Sequence, residues 1–295
     1  MKPLAVFFSL ALVAGCRAPM PEPTPETLRD RIEAVAAQYP EATVGVAVRD
    51  AHTGVRVDLR ADRPFHAAST MKVPVMIEAF RQVDAGRLAW NDSIAVVNRF
   101  TSIVDGSAFS IGDDSDDALY THLGGQMPLH DLTRRAITTS SNLATNLLME
   151  VLSADSVQAT TQALGGDGVL VLRGVEDLLA FEAGLSNRAT AAGLAALLTA
   201  LRDGRAVSPE ASRQMVEILL QQEFGEMIPA RLPEGVRVAH KTGWITRIHH
   251  DAAIVYPPDA PPYVLVVLTE GLEDHAEASQ LGAEIAATVH ATIRG

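Results

Sequence analysis

Between residues 25 and 59 the apolar positions change rhythm. Leu28, Ile32, Val35, Ala36 and Tyr39 recur every three or four residues, the spacing of one buried helix face. Thr24-Pro25 ahead of them reads as an N-cap with proline at the first helical position, where a missing N–H breaks no bond. Val44, Val46 and Val48 then alternate. After a turn over 50–54, Val55, Val57 and Leu59 alternate again, which predicts a hairpin. From Ser69 to about Gln222 the helical rhythm dominates, with helices expected over 69–84, 129–137, 142–152, 155–164, 190–202 and 208–222. Pro74 conflicts with the first of these because it removes the bond to the carbonyl of Thr70; close to the first turn the distortion should be small. Strands are expected over 236–242, 252–256 and 263–269, the last two joined by a turn over 257–262. A helix over 273–293, carrying Leu281, Ile285, Val289 and Ile293, closes the chain.

Strands near both ends and helices between them predict an α/β plus all-α molecule, with one sheet built from both chain ends and a helical domain inserted. The boundaries fall at 25–66 and 223–295 for the α/β part and 67–222 for the helical part. A length of 295 residues fits one large or two medium domains, and 47% hydrophobic residues are ample for a core. No internal repeat is evident.

The first residues follow a different plan. Lys2 precedes an apolar run of about ten residues, Leu4 to Val13, too short to span a bilayer and suited to a secretory signal. The run ends in Val13-Ala14-Gly15-Cys16, which resembles a bacterial lipobox with lipid attached at Cys16 after cleavage. Residues 1–16 are then signal and lipobox, and 17–24, with Pro19, Pro21 and Pro23, an extended tether. The expected location is the periplasm or cell surface, with a membrane reached through that anchor. The alternative is an ordinary signal with an incidental cysteine. Cys16 is the sole cysteine, so no disulfide forms within the chain. A net charge of −12 argues against nucleic acid or an anionic membrane held by a basic face. A monomer is expected.

The basic residues carry the chemistry. Only Lys2, Lys72 and Lys241 are lysines, against 21 arginines. Lysine differs from arginine in being able to lose its proton and in being a compact point charge. Lys72 follows Ser69 by three residues, so both share one side of a helix. Such a pair can be a nucleophile with an amine that takes its proton. At a helix N-terminus the Ser69 amide can also donate to an oxyanion. Lys241 opens Lys241-Thr242-Gly243, and between the two lysines lies Ser140-Ser141-Asn142, which could equally be a plain helix cap.

In this order, Ser-x-x-Lys, Ser-x-Asn and Lys-Thr-Gly are the motif set of class A β-lactamases and penicillin-binding proteins. From about Thr24 to the C-terminus the sequence resembles class A β-lactamase-like serine hydrolases. The resemblance implies an antiparallel sheet flanked by helices, beside an all-α domain, with the site between them. It implies attack by Ser69 on a cyclic amide, with Lys72 as general base or proton relay. Ser140 would pass a proton to the leaving nitrogen and Asn142 would hold the substrate's amide. Lys241 and Thr242 would bind its carboxylate, Gly243 would leave room beside the strand edge, and the Trp244 amide would be the second oxyanion donor. The indole of Trp244 covers the cleft or simply packs. Asn146, on the helix that follows, would brace the loop that carries Ser140 and Asn142.

The loop expected to carry the deacylation base departs from the family pattern. In Arg173-Gly174-Val175-Glu176-Asp177 the Glu comes one residue later than expected, and no Asn lies four beyond it. Glu176 is the foremost candidate for the base, ahead of Asp177 and Glu182. Asn187 stands about where the family has an Asp paired with the loop's Arg. Asp113, Asp114, Asp116 and Asp117 read as a solvated loop, lacking calcium-loop spacing. Arg247, His249 and His250 read as structural or solvated. No metal or organic cofactor is implied. Two rival readings share these motifs: a penicillin-binding D,D-peptidase or other serine hydrolase of the same fold, and a catalytically silent binding domain.

Overall fold

The computed structural model describes residues 24–295; Cys16 and the tether up to residue 23 lie outside them. Helix α1 (Pro25–Ala36) starts as its sequence predicts, with the Thr24 hydroxyl accepting from the Thr27 amide at 3.2 Å and Pro25 at the first position. Its Leu28 and Ile32 are fully buried.

Five strands form the main sheet: β1 (Thr43–Arg49), β2 (Arg56–Leu59), β3 (Arg237–Ile245), β4 (Ile248–Tyr256) and β5 (Tyr263–Glu270). Their order is β2-β1-β5-β4-β3, and every neighbouring pair is antiparallel. The two halves of the chain meet where β1 pairs with β5, Thr43 opposite Glu270. β3 ends at Ile245 and β4 starts at Ile248, past the expected 242 and 252; in β4 the added residues His249 to Asp251 are buried without alternation, which removes the period that marks a half-exposed strand.

Side-chain alternation splits the core in two. Val44, Val46, Val48, Leu265 and Val267 pack with α1 and the closing helix α9 (His275–Arg294). Ala47, Val264, Val266 and Leu268 face the inserted helices. Those of five residues or more are α2 (Lys72–Asp84), α3 (Leu129–Thr138), α4 (Asn142–Leu152), α5 (Ala154–Ala163), α6 (Leu178–Glu182), α7 (Ala191–Arg202) and α8 (Pro209–Leu219). Helix α7 lies directly on the sheet, against β1, β4 and β5.

Helix α2 is preceded by a 3₁₀ turn, Ala68–Met71, and begins only at Lys72. Pro74 therefore sits in the first α-helical turn, where backbone N–H groups have no intrahelical partner in any case. Two-residue strands 65–66 and 188–189 pair with each other and tie the chain ahead of Ser69 to the end of the 173–187 loop. At the far side of the molecule Arg294 grips Asp50 with both terminal nitrogens, at 2.7 and 2.9 Å, locking the end of α9 to the turn between β1 and β2.

Candidate active site

The edge strand β3, the 68–71 turn, the start of α4 and the 173–187 loop converge on one cleft of about 370 Å³, with Ser69, Asn142, Glu176 and Trp244 among its walls. The approach of β3 to the turn is very close. A Cβ built on Gly243 would lie 2.7 Å from the Ser69 amide nitrogen and 2.9 Å from that of Thr70. Gly243 is thus needed by the packing of the protein itself, a tighter requirement than room for a ligand.

Both motif lysines are fully buried. Lys72 donates through Nζ to the Ser140 carbonyl at 2.6 Å, to Ser140 Oγ at 3.3 Å and to Asn142 Oδ1 at 2.8 Å. Lys241 donates to the same Ser140 Oγ at 3.0 Å and to the Thr242 carbonyl at 2.9 Å. One serine hydroxyl therefore bridges two amines. Burial pushes the Lys72 ammonium down to about 7, against the pull of Asp114 and Glu176. Burial, and then the charge of Lys72, push Lys241 well below the usual amine range, with Asp251 opposing. A carboxylate arriving beside Lys241 would favour its protonated form again.

Asn142 continues the chain of contacts. Its Nδ2 donates to Glu176 Oε1 at 2.7 Å, while Glu176 Oε2 accepts from the Gly112 amide at 3.1 Å. Glu176, Ser140 and Ala68, the residue before Ser69, are three of the six non-glycine residues with positive φ among the described residues, at 62°, 58° and 45°. Backbone strain of this kind persists only where the surroundings hold it. The holding groups are visible. Lys72 bonds the Ser140 carbonyl, and Asn146 grips Val175 from both sides, its Oδ1 accepting from the Val175 amide at 2.6 Å and its Nδ2 donating to the Val175 carbonyl at 2.9 Å. The Ala68 amide donates to His66 Nδ1 at 3.1 Å.

The other carboxylates of the neighbourhood have different work. Asp177, buried, accepts from Ser102 Oγ, the Ile103 amide and the Ala180 amide, so it caps α6 and pins the 100–109 hairpin. Glu182 lies exposed at the end of α6. Asn187 bonds the backbone of Arg173, and the guanidinium turns instead to the carbonyls of Leu185 and Gly174. The acidic run is only partly solvated, contrary to the sequence expectation. Asp116 is buried in an ion pair with Arg135, and Asp114 accepts from the amides of Asn142 and Leu143 at 2.8 Å each, stabilising the N-terminus of α4.

His66 and Gly112 were not singled out in the sequence, and Asp114 stood there only as one of a run of aspartates. Nothing in their local pattern marks them, since each acts on a residue distant in the chain or through a backbone atom. Among the histidines, His250 is buried, accepts from the Thr269 amide at Nδ1 and therefore carries its proton on Nε2, which donates to the His66 carbonyl. Arg247 pairs with Glu273 at the surface.

An antiparallel sheet assembled from both chain ends, with helices inserted and a Ser–Lys pair at its edge strand, defines the class of penicillin-recognising serine enzymes. The chain matches the family described as Beta-lactamase enzyme family over residues 27–293, and it belongs to that family. It is 27% identical over 266 residues to a β-lactamase of Rhodobacter capsulatus, covering 88% of this chain and 84% of that one. The crystal structure of a β-lactamase from Sphaerobacter thermophilus superposes with a TM-score of 0.79 at 29% identity, over 90% of this chain and 96% of that one. A structure of PBP-A shares the fold at a TM-score of 0.79 and 24% identity, over 92% of this chain and 97% of that one.

Proposed function

We propose that the protein is a serine hydrolase that opens β-lactam amides through an acyl-enzyme on Ser69. The observation that carries this reading is the unbroken path Lys241–Ser140–Lys72–Asn142–Glu176, whose Asn142 and Glu176 line one cleft with Ser69. Ser69 Oγ attacks the lactam carbonyl as Lys72 takes its proton, directly or through Ser140. At about 7, the Lys72 amine is neutral often enough near neutral pH to serve as that base. The oxyanion forms next to the Ser69 and Trp244 amides. The C–N bond then breaks and Ser140, fed by Lys72, protonates the nitrogen. Lys241 and Thr242 hold the substrate's carboxylate. Glu176 removes a proton from the water that attacks the acyl carbon, and Ser69 leaves with its proton restored.

The test is a burst and steady-state assay with a chromogenic cephalosporin. Ser69→Ala should abolish both phases. Glu176→Gln should keep the burst, slow the steady state by about 10²–10⁴-fold, and leave the acyl-enzyme visible by intact mass. Turnover unchanged in Glu176→Gln would remove Glu176 from deacylation. A wild-type acyl-enzyme that lasts for hours would favour the D,D-peptidase reading. The proposal includes a monomer anchored by lipid on Cys16 in the periplasm or at the cell surface. Cys16→Ser should move the protein from the detergent phase to the aqueous phase.

A further inference from the structure

Residues 112–116, just after the 100–109 hairpin, bond to both halves of the proposed chemistry. The Gly112 amide donates to Glu176 Oε2, and the Asp113 carbonyl accepts from Asn142 Nδ2 at 3.3 Å. Ser115 Oγ donates to the carbonyl of Thr139, the residue ahead of Ser140, at 2.6 Å. Asp114 stands at the centre of this segment. Its Oδ1 accepts from the Asn142 amide at 2.8 Å. Its Oδ2 accepts from the Leu143 amide at 2.8 Å, the Tyr120 hydroxyl at 3.2 Å and the Ser141 hydroxyl at 3.3 Å. That is more than capping α4 requires, because Ser141 Oγ already accepts from the Ala144 amide.

Two of the four donors are backbone amides, which cannot accept. A side-chain amide at position 114 would set its NH2 against one of them, so only a carboxylate satisfies both. Tyr120 also stays a donor: burial, and then the charge of Asp114, raise its phenol above the usual range. The loop held in this way is strained at Ser140, whose φ is 58°. Its Ser140 carbonyl and hydroxyl, with Asn142 Oδ1, are the groups to which the Lys72 amine donates. Strain there persists only if the surroundings fix it. Lys72 holds the loop from one side and Asp114 from the other.

The carboxylate also reaches Lys72 through its charge. Asp114 and Glu176 favour the protonated amine, and Lys241 shares Ser140 Oγ with it. Around Asp114 itself, Asp116 is paired with Arg135 and Asp113 is exposed.

We propose that Asp114 is a positioning residue for acylation: its carboxylate sets the Ser140–Asn142 loop and, through that loop, the place of the Lys72 amine beside Ser140. The proposal rests on the acyl-enzyme reading above and adds to it a residue that is not among the cleft walls.

The experiment follows the burst with a chromogenic cephalosporin against pH. It compares wild type, Asp114→Asn, and the double variant Asp114→Ser/Ser141→Asp, which exchanges the two ends of the Ser141–Asp114 bond. Asp114→Asn should slow the burst by about 10²-fold at its plateau, the scale of a small misplacement of reacting groups. Its acid limb should move to lower pH, because an amine that loses a nearby negative charge gives up its proton more readily. Loosening of the fold alone would admit water to Lys72 and leave the limb in place or raise it. The exchange keeps a carboxylate at the cap of α4, within reach of its first amides, and should recover most of the burst and return the limb toward wild type. A burst in Asp114→Asn as fast as wild type overturns the proposal and leaves the hydrolase reading in place. So does an acid limb that stays or rises, or an exchange variant no faster than Asp114→Asn. If Asp114→Asn does not fold, the exchange is read against wild type alone, and a folded exchange variant without a burst overturns the proposal. A wild type that forms no acyl-enzyme overturns the hydrolase reading, and this proposal with it.

Discussion

Lys72 shows how stability and chemistry oppose each other at a single residue. Its amine is buried among Ser140, Asn142 and the start of α2, and burial holds it at about 7 when the unfolded chain would hold it at 10.5. The folded state thus binds fewer protons than the unfolded state between those values, so this group's contribution to stability rises with pH across the window. Below pH 7 both states are protonated and the full cost of the buried charge, roughly 5 kcal/mol, is present. Lys72→Met removes that cost but leaves two acceptors without their donor, at about 1–2 kcal/mol each. The variant should be inactive yet more stable than wild type by about 2 kcal/mol at pH 6, with the gain vanishing by pH 9–10. Thermal melts at both pH values check this; a variant less stable at both would mean the amine is not strained by its burial.

At the scale of elements, helix α4 was legible in the sequence to the residue, because Ser141 supplies a local cap and the apolar spacing is regular. The hairpin and α9 were legible for the same reason, local pattern agreeing with final packing. What could not be read was long-range. Asp114 caps α4 from 28 positions away, and nothing in a run of aspartates tells which of them will be buried. The 65–66 and 188–189 strands are too short to show a period. The motif serines and lysines were legible as a set, and so was the ranking of Glu176 ahead of Asp177, whereas the backbone that carries Glu176, with its positive φ and the grip of Asn146 on Val175, was not. That grip is testable. Asn146→Ala deletes both bonds to Val175 and should destabilise the protein by about 1–3 kcal/mol. It should also slow deacylation at least ten-fold while acylation, read from the burst, changes little. Equal slowing of both steps would show that Asn146 supports the whole site and not the loop alone.

For the molecule as a whole, the sheet joins the first hairpin to the last three strands, and the buried Asp50–Arg294 ion pair ties that hairpin to the closing helix. Burial opposes ionisation of Asp50, yet Arg294, Thr53 and the His52 amide outweigh it and hold the carboxyl at about 2. Because the folded value lies below the unfolded one, the pair's full contribution is present above about pH 4 and is lost as pH falls through about 2, an effect of roughly 2 kcal/mol. Asp50→Asn also strands the Arg294 guanidinium and should cost about 3–5 kcal/mol at pH 7. The deficit relative to wild type should narrow near pH 2.5. Urea titrations at the two pH values measure it, and a deficit independent of pH would assign the loss to packing and not to charge.

β3 ends the strand order with one side unpaired, and the Ala68–Met71 turn packs so closely against it that only glycine fits at position 243. A bare sheet edge ordinarily invites any extended chain to pair with it. Here the turn packs against the strand next to the nucleophile. A short amide that paired beside it would be, for its lifetime, a stub of a sixth strand. Backbone pairing of that kind does not tell one amide from another. Discrimination would then be left to the side chains beyond the paired stretch, away from Ser69 and Lys72, and those are the places where a few substitutions would change what the protein accepts without disturbing how it reacts.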